Sequence, residues 1–303
     1  MFFWRNTGVS VYDWSCWKGT LIANLSPRAR RIRAKFGESA QQLVRRLPRR
    51  TNLLLVHLDI SEDAPFIADA LDFVRTLSTC GVVALNCLSR DIRKRTVQAR
   101  CKAYGIPHLA ATRDGRADEL LIVKTDLNSG GTREQLLPAQ QKQKFNLPAS
   151  IGRLNGPSGY FVKQRGELGA DIWNDPDLVV ERYVTNARGR FFRIYVAANA
   201  IVISEAFDHR DVKRMGGDLR RRNYWFWRHD KLLNAYSDNT VELPAALLST
   251  VGTFVDNFQL DFGALDVVES ETGDYYVVDV NKTPFWGDER QPGLLEHLRL
   301  GLA

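Results

Sequence analysis

From residue 53 onward the chain alternates short apolar runs with stretches of helical period. LLLVHLD (53–59) and VVALN (82–86) have strand length; a helical stretch near 64–78 separates them, and another near 91–104 ends at Gly105-Ile106-Pro107. This alternation predicts a small α/β unit on a parallel sheet. LLIVK (120–124) follows, then a glycine-containing loop, DLNSGGTRE (126–134), and an exposed Gln/Lys-rich stretch at 139–146. The carboxy-terminal half is strand-rich. YFVKQ (160–164), LVVERYV (178–184), RFFRIYVAA (190–198), AIVISEAF (200–207), FGALDVV (262–268) and YYVVDVN (275–281) are predicted strands, mostly in hairpins. Between them, DVKRMGGDLRRRNYWFWRHD (211–230) carries too much charge and glycine for a core element and is expected to form a loop over a site.

The amino-terminal arm has a different character. Residues 1–52 hold 11 Lys and Arg against Asp13 and Glu38, so the net charge of +7 for the whole chain originates there. Ser26-Pro27 has the form of a helix start, and Ile32, Phe36, Leu43, Val44 and Leu47 recur on one helical face, which predicts an amphipathic helix. Arg28, Arg30, Arg31, Arg33, Lys35, Arg45 and Arg46 fill much of its remainder. Such a helix either packs its stripe on the body or makes weak peripheral contact with an anionic surface. No stacking aromatics are interleaved with these arginines, which argues against specific nucleic-acid binding.

Composition narrows the class. The chain has 303 residues, 44% hydrophobic and 25% charged, with mean hydropathy −0.28, as expected of a globular protein of two or three units. No apolar run reaches the roughly 18 residues of a membrane span, and the opening MFFWRNTGVSVYDW lacks the pattern of a secretory signal, so a cytoplasmic protein is expected. Cys16, Cys80, Cys87 and Cys101 have neither zinc-site spacing nor a disulfide framework.

The most informative stretch is LDFGALDVVESETGDYYVVDVNKTPFWG (260–287), which reads as one β-hairpin. With Thr272-Gly273 as a two-residue turn, counting back along both strands sets Asp266 opposite Asp279. Directly opposed side chains start about 4.5–5.5 Å apart at Cβ, and like charges there repel unless a cation lies between them. A divalent metal resolves the conflict. Asn281, two residues from Asp279, shares its face and adds a neutral oxygen, a donor set suited to magnesium that keeps water and binds phosphate. His209-Arg210-Asp211 and Asp261-Phe262-Gly263 imitate protein-kinase motifs, but Gly216 stands where the catalytic-loop Asn is required and no G-x-G-x-x-G precedes LLIVK.

The opposed aspartates, DVNKTP, a strand-end lysine before a glycine loop, and LVVERYV together resemble the ATP-grasp superfamily over roughly residues 80–290. The resemblance implies an α/β (α+β) ATP-grasp fold with ATP clamped between two sheet-bearing subdomains and two magnesium ions bridging its phosphates to Asp266, Asp279 and Asn281. The implied division is a basic arm at 1–52, a small α/β domain at 53–118, and an ATP-grasp domain at 119–303, split into 119–180 and 181–303. Lys124 closes its strand just before Ser129-Gly130-Gly131-Thr132 and is the expected phosphate ligand. Lys163 competes for that task, and Lys94 resembles a further family lysine on the preceding helix. The family's hinge falls at Glu181, with adenine contacted by that carboxylate and by main-chain groups of Arg182 and Val184. Arg193 shares a face with Phe191 and Tyr195, where it could neutralise a phosphoryl group in transfer. Lys213, Arg214 and Arg220–Arg222 could clamp an anion from the 211–230 loop. Two departures stand out. Ala264 occupies a position where several ligases of the family place Arg, and no acid follows the hinge to hold ribose, leaving Asn186 as a substitute.

The expected function is magnesium-dependent, ADP-forming ligation of a small-molecule carboxylate to an amine or thiol through an acyl-phosphate, with Arg193 and Lys124 offsetting charge. The alternatives are a kinase acting on a hydroxyl, with Asp208 or His209 as base, and a nucleotide-binding scaffold without turnover.

Overall fold

A computed structural model of the chain describes residues 9–14, 30–63, 66–144, 146–147, 160–210, 212, 221–228, 243–284 and 292–302. Three sheets organise them.

The first is parallel, with strands β1 (Val9–Trp14), β2 (Arg30–Arg33), β3 (Leu53–Leu58) and β4 (Val83–Leu85) in the order β2-β1-β3-β4. The amphipathic helix expected in the arm is replaced, over its described residues, by β2 and a short helix, α1 (Ala40–Val44). Ile32 and Ala34 are buried while Arg31, Arg33 and Lys35 are exposed, a period of two that the arginine-rich composition masks. Gly37, at φ +65°, ends this run, and Ser39 caps α1 reciprocally with Gln42. Because β1 pairs with β3 along its whole length, the arm and the 53–118 unit share one sheet. Ser26-Pro27, Arg28 and Cys16 lie outside the described residues.

Helix α2 (Ala70–Thr79) begins later than expected because Asp69 caps it, accepting the Asp72 N–H at 2.9 Å. Helix α3 (Lys94–Ala103) buries Lys94, Val97, Gln98 and Cys101, the i, i+3, i+4, i+7 stripe of one face.

The second sheet is antiparallel, β5 (Leu120–Thr125), β6 (Tyr160–Gln164) and β7 (Leu178–Arg182) in the order β6-β5-β7. Between β5 and β6 lie short helices α4 (Thr132–Gln135) and α5 (Ala139–Lys144). Leu121, Val123, Leu178 and Val180 pack on Ile172 and Trp173 of α6 (Ala170–Asn174), leaving the other face to Ile122, Lys124, Val179 and Glu181.

The third sheet holds β8 (Arg190–Ala197), β9 (Ala200–Phe207), β10 (Arg221–Trp227), β11 (Phe262–Glu269) and β12 (Tyr275–Asn281), antiparallel in the order β10-β9-β8-β11-β12. Strand β10 lies within the expected loop: Tyr224, Trp225, Phe226 and Trp227 pair with β9, and the arginines before them fall at the start of the strand. Lys213, Arg214 and Arg220 lie outside the described residues. One face of this sheet, including Phe192, Ile194, Ile203 and Val267, is buried against α7 (Ala245–Asn257) and against Val97 and Cys101 of α3. On the other face, Tyr195, Ala197, Phe262 and Ala264 pack with Val9, Val11, Leu53 and Leu55 of the parallel sheet and with α8 (Pro292–Leu300). Among the described residues no helix is long and apolar enough to cross a membrane.

Candidate active site

Asp266 on β11 lies opposite Asp279 on β12, and Ala264 lies opposite Asn281. The route to that register is indirect. The turn is a three-residue loop: the Ser270 N–H donates to the Asp274 carbonyl at 2.9 Å, and Gly273 takes φ +83°. Pairs nearest the turn, Glu269 with Tyr275 and Val267 with Val277, are therefore one residue out of step with a two-residue turn. A bulge between Asp266 and Val267 absorbs Val278 and sets the aspartates face to face. Gly263, at φ +150°, sits so close to the end of β12 that a Cβ would lie 2.7 Å from the Asn281 carbonyl oxygen.

A polar row crosses this face of the sheet. Asn223, Ser204, Arg193, Asp266 and Asp279 occupy successive register positions on β10, β9, β8, β11 and β12. Arg193 donates from Nε and Nη2 to the two oxygens of Asp266, each at 2.7 Å. Burial disfavours the charge of Arg193, but the Asp266 carboxylate outweighs it and holds the guanidinium ionised. Ser204 and Asn223 join side chain to side chain at 2.5 Å. Asp279 has no such partner: its Oδ1 is buried without a hydrogen bond. Burial pushes its carboxyl pKa up and Asp266 adds to that, while Lys94, Lys124 and Arg193 pull it down.

Those two lysines come from α3 and from β5. Lys124 on β5 donates to Glu181 Oε2 on β7 at 2.6 Å, both groups being buried, and Glu181 Oε1 has no partner. Burial, and then the Glu181 charge, pushes the Cys101 thiol of α3 up to about 12. Lys94 enters from the buried stripe of α3 and donates to the Leu127 carbonyl at 3.1 Å. Its Nζ and that of Lys124 lie 5.7 and 6.0 Å from the centre of the Tyr160 ring. Helix α3 is tied to both flanking sheets. The Asp126 carboxylate after β5 accepts the Arg95 N–H at 2.8 Å, and Gln98 spans from the Val277 carbonyl of β12 to the Leu109 N–H.

No family model matches the sequence, and no curated protein does. Solved structures do match. The ATP-grasp ligase PsnB, solved with a phosphomimetic variant of its minimal precursor, Mg and ADP, superposes at TM-score 0.53 with 12% identity, covering 98% of this chain and 99% of that one. N5-carboxyaminoimidazole synthetase from Staphylococcus aureus superposes at TM-score 0.52 with 10% identity, covering 98% of this chain and 77% of that one. The chain has the ATP-grasp fold.

Within that fold Lys94, Lys124, Arg193 and Asp266 lie near enough to Asp279 to act on its charge, Glu181 holds Lys124 and Asn281 shares the face of Asp279, while other predicted groups have partners of their own. Lys163 is exposed and, paired with Leu121, lies on the opposite face of its sheet from Lys124. The Arg182 N–H is taken by the Leu109 carbonyl at 2.8 Å, and Val184 packs beside Phe191 and Tyr276. Asn186 donates to the Arg190 carbonyl at 2.5 Å, closing the turn before β8, so it is engaged in backbone structure. Asp208 accepts from Arg210 through both oxygens.

The donor set suits a hard cation. Asp279 offers an unpartnered oxygen, Asp266 keeps further lone pairs beyond Arg193, and Asn281 Oδ1 accepts only the Thr283 N–H at 2.9 Å and, weakly, its hydroxyl at 3.5 Å. Among the described residues no three His, Cys, Asp or Glu side chains converge for metal binding, so phosphate and water would complete the shell. Sequence reasoning missed Ser204, Tyr160 and Lys282. The first two were legible as strand neighbours on the faces of Arg193 and Lys124. Lys282 is fully buried, donating to Asp63 at 2.7 Å and tying β12 to the parallel sheet, and nothing local signals that long-range partner.

Proposed function

We propose that this protein is a magnesium- and ATP-dependent ligase that joins a carboxylate to an amine or thiol through an acyl-phosphate. One observation carries the reading: on an ATP-grasp fold, Asp279 presents an unpartnered buried oxygen opposite Asp266, with Lys94 and Lys124 near enough to act on its charge. The neighbour PsnB, named as a ligase and solved with Mg and ADP, supports nucleotide and metal use here. Magnesium supplies charge neutralisation of the phosphates. Asp279, Asp266 and Asn281 would hold it.

The protein residues act by position and charge. Lys124 and Lys94 would neutralise β- and γ-phosphate oxygens, and Glu181, which holds Lys124, keeps a second oxygen for a donor on the base. Arg193, in the middle of the row, would neutralise the transferring phosphoryl group. The substrate carboxylate oxygen bonds to the γ-phosphorus as the bond to ADP breaks. The amine nitrogen or thiol sulfur then bonds to the acyl carbon, phosphate departs, and the proton of the acceptor passes to water. Of the kinase alternative's two candidate bases, Asp208 is paired with Arg210, and His209 remains. Candidate acids incubated with ATP, magnesium and hydroxylamine test the reading: hydroxamate with stoichiometric ADP supports it, and ADP with a phosphorylated alcohol refutes it.

A further inference from the structure

The basic arm takes no part in the site described above, yet the fold draws its cations onto one rim. Arg30, Arg33 and Lys35 are exposed on and just beyond β2, the outermost strand of the parallel sheet among the described residues. Arg45, Arg49 and Arg50 are exposed on the segment that follows α1. Two hydrogen bonds bring that segment back along β2. Arg46 donates to the Arg33 carbonyl at 2.7 Å, and the Thr51 hydroxyl meets that of Ser10, the register partner of Arg30, at 2.8 Å. A further cation arrives from α5, where the exposed Lys144 lies 5.4 Å from the centre of the ring of Phe36, the residue after Lys35.

The arm has no acid left to balance these charges. Its carboxylates are Asp13 and Glu38. Asp13 is held by His57 at 3.1 Å and by Arg31 at 3.0 Å, and Glu38 accepts from Arg46 at 2.5 Å. Like charges gathered along one edge repel, and a bound anion relieves the repulsion.

We infer that this rim docks an extended acidic segment of a partner polypeptide. Three features select that anion. Arg31, Arg33 and Lys35 are exposed at every second residue with Ile32 and Ala34 buried between them, a spacing of about 6.6 Å that matches alternate side chains of an extended peptide. A nucleic-acid strand needs open aromatic faces for its bases, and among the described residues the ring at the rim, Phe36, is already packed on Phe66 at 4.2 Å and covered by Lys144. A membrane surface needs apolar groups to insert, and Ile32, Ala34 and Leu43 are turned into the core. The inference is independent of the ligase reading.

The test uses the full chain and a fluorescein-labelled hexamer of the Glu-Ser repeat, followed by fluorescence anisotropy, with dodecathymidylate and vesicles of phosphatidylcholine and phosphatidylserine as parallel probes. The expected result is saturable peptide binding that weakens as ionic strength rises. The triple variant Arg30→Ser, Arg33→Ser, Lys35→Ser is expected to bind the peptide at least about tenfold more weakly. A second triple variant, Arg100→Ser, Lys102→Ser, Arg113→Ser, removes the same charge from exposed positions on other segments and should bind as the wild type does. Equal loss in the two variants shows that net charge alone is read and overturns the inference. Tighter binding of dodecathymidylate or of the vesicles than of the peptide overturns it too, as does the absence of saturable peptide binding. Circular dichroism checks that each variant folds; if the rim variant does not, the comparison of the three probes on the wild type decides.

Discussion

Arg193 and Asp266 face each other on adjacent strands and share two hydrogen bonds of 2.7 Å, so the charge that confronts Asp279 is already half neutralised before any metal arrives. Removing the guanidinium restores the repulsion between the aspartates. Arg193→Ala is expected to cost about 1–3 kcal/mol in urea unfolding, less than a fully buried pair because both groups are partly exposed. Magnesium should then raise the melting temperature of the variant more than that of the wild type, since the cation replaces the missing charge. ADP formation should fall to background.

Asp279→Asn keeps the shape of the site and removes the charge. Magnesium-dependent nucleotide binding, followed by calorimetry, should weaken at least about tenfold, in line with loss of a charged metal ligand. The nucleotide-free protein should be no less stable than the wild type, because burial already disfavours the ionised carboxyl.

Lys124→Met leaves Glu181 charged and fully buried without its cation. A loss of about 3–5 kcal/mol is expected by chemical denaturation. The double variant Lys124→Met, Glu181→Gln should recover much of that loss yet still fail to bind nucleotide, which separates folding from function.

Gly263→Ala forces a Cβ to within 2.7 Å of the Asn281 carbonyl oxygen and makes an L-residue adopt φ +150°. The expected outcome is a shifted β12 end, seen as weakened magnesium-dependent nucleotide binding, together with a loss of about 1–3 kcal/mol of stability.

The Asp261 carboxyl is pushed up from 3.8 to about 6 by burial, against the Asn86 N–H that donates to it at 2.7 Å. A raised folded value means its contribution to stability is complete below pH 3.8 and is lost as pH rises through about 6. Relative to Asp261→Asn, the wild type should therefore gain on the order of 2–3 kcal/mol on going from pH 7 to pH 4. Parallel urea titrations across that range measure the difference.

Much of this architecture is legible in the chain because the strand patterns at 160–164, 200–207 and 275–281 coincide with the strands formed. The pairing of Asp266 with Asp279 is also legible, yet through two compensating departures: a turn one residue longer than the sequence suggests, and a bulge that restores the count. The arm misleads because Ile32 and Phe36 fit a helical stripe as well as a strand, and arginine composition says nothing about period. Strand β10 is hidden for a related reason, its arginines reading as a solvated loop although aromatics follow at once. Side chains that pair across more than a hundred residues, such as Lys282 with Asp63 or Asn128 with the Val280 carbonyl, leave no local trace.

Helix α3 is anchored to the end of β5 through Asp126 and to β12 through Gln98. A rod bonded to both sheets sets their spacing, so Lys94, which leaves that rod, and Lys124, which leaves β5 two residues before Asp126, are both held in register with β12 and hence with Asp279.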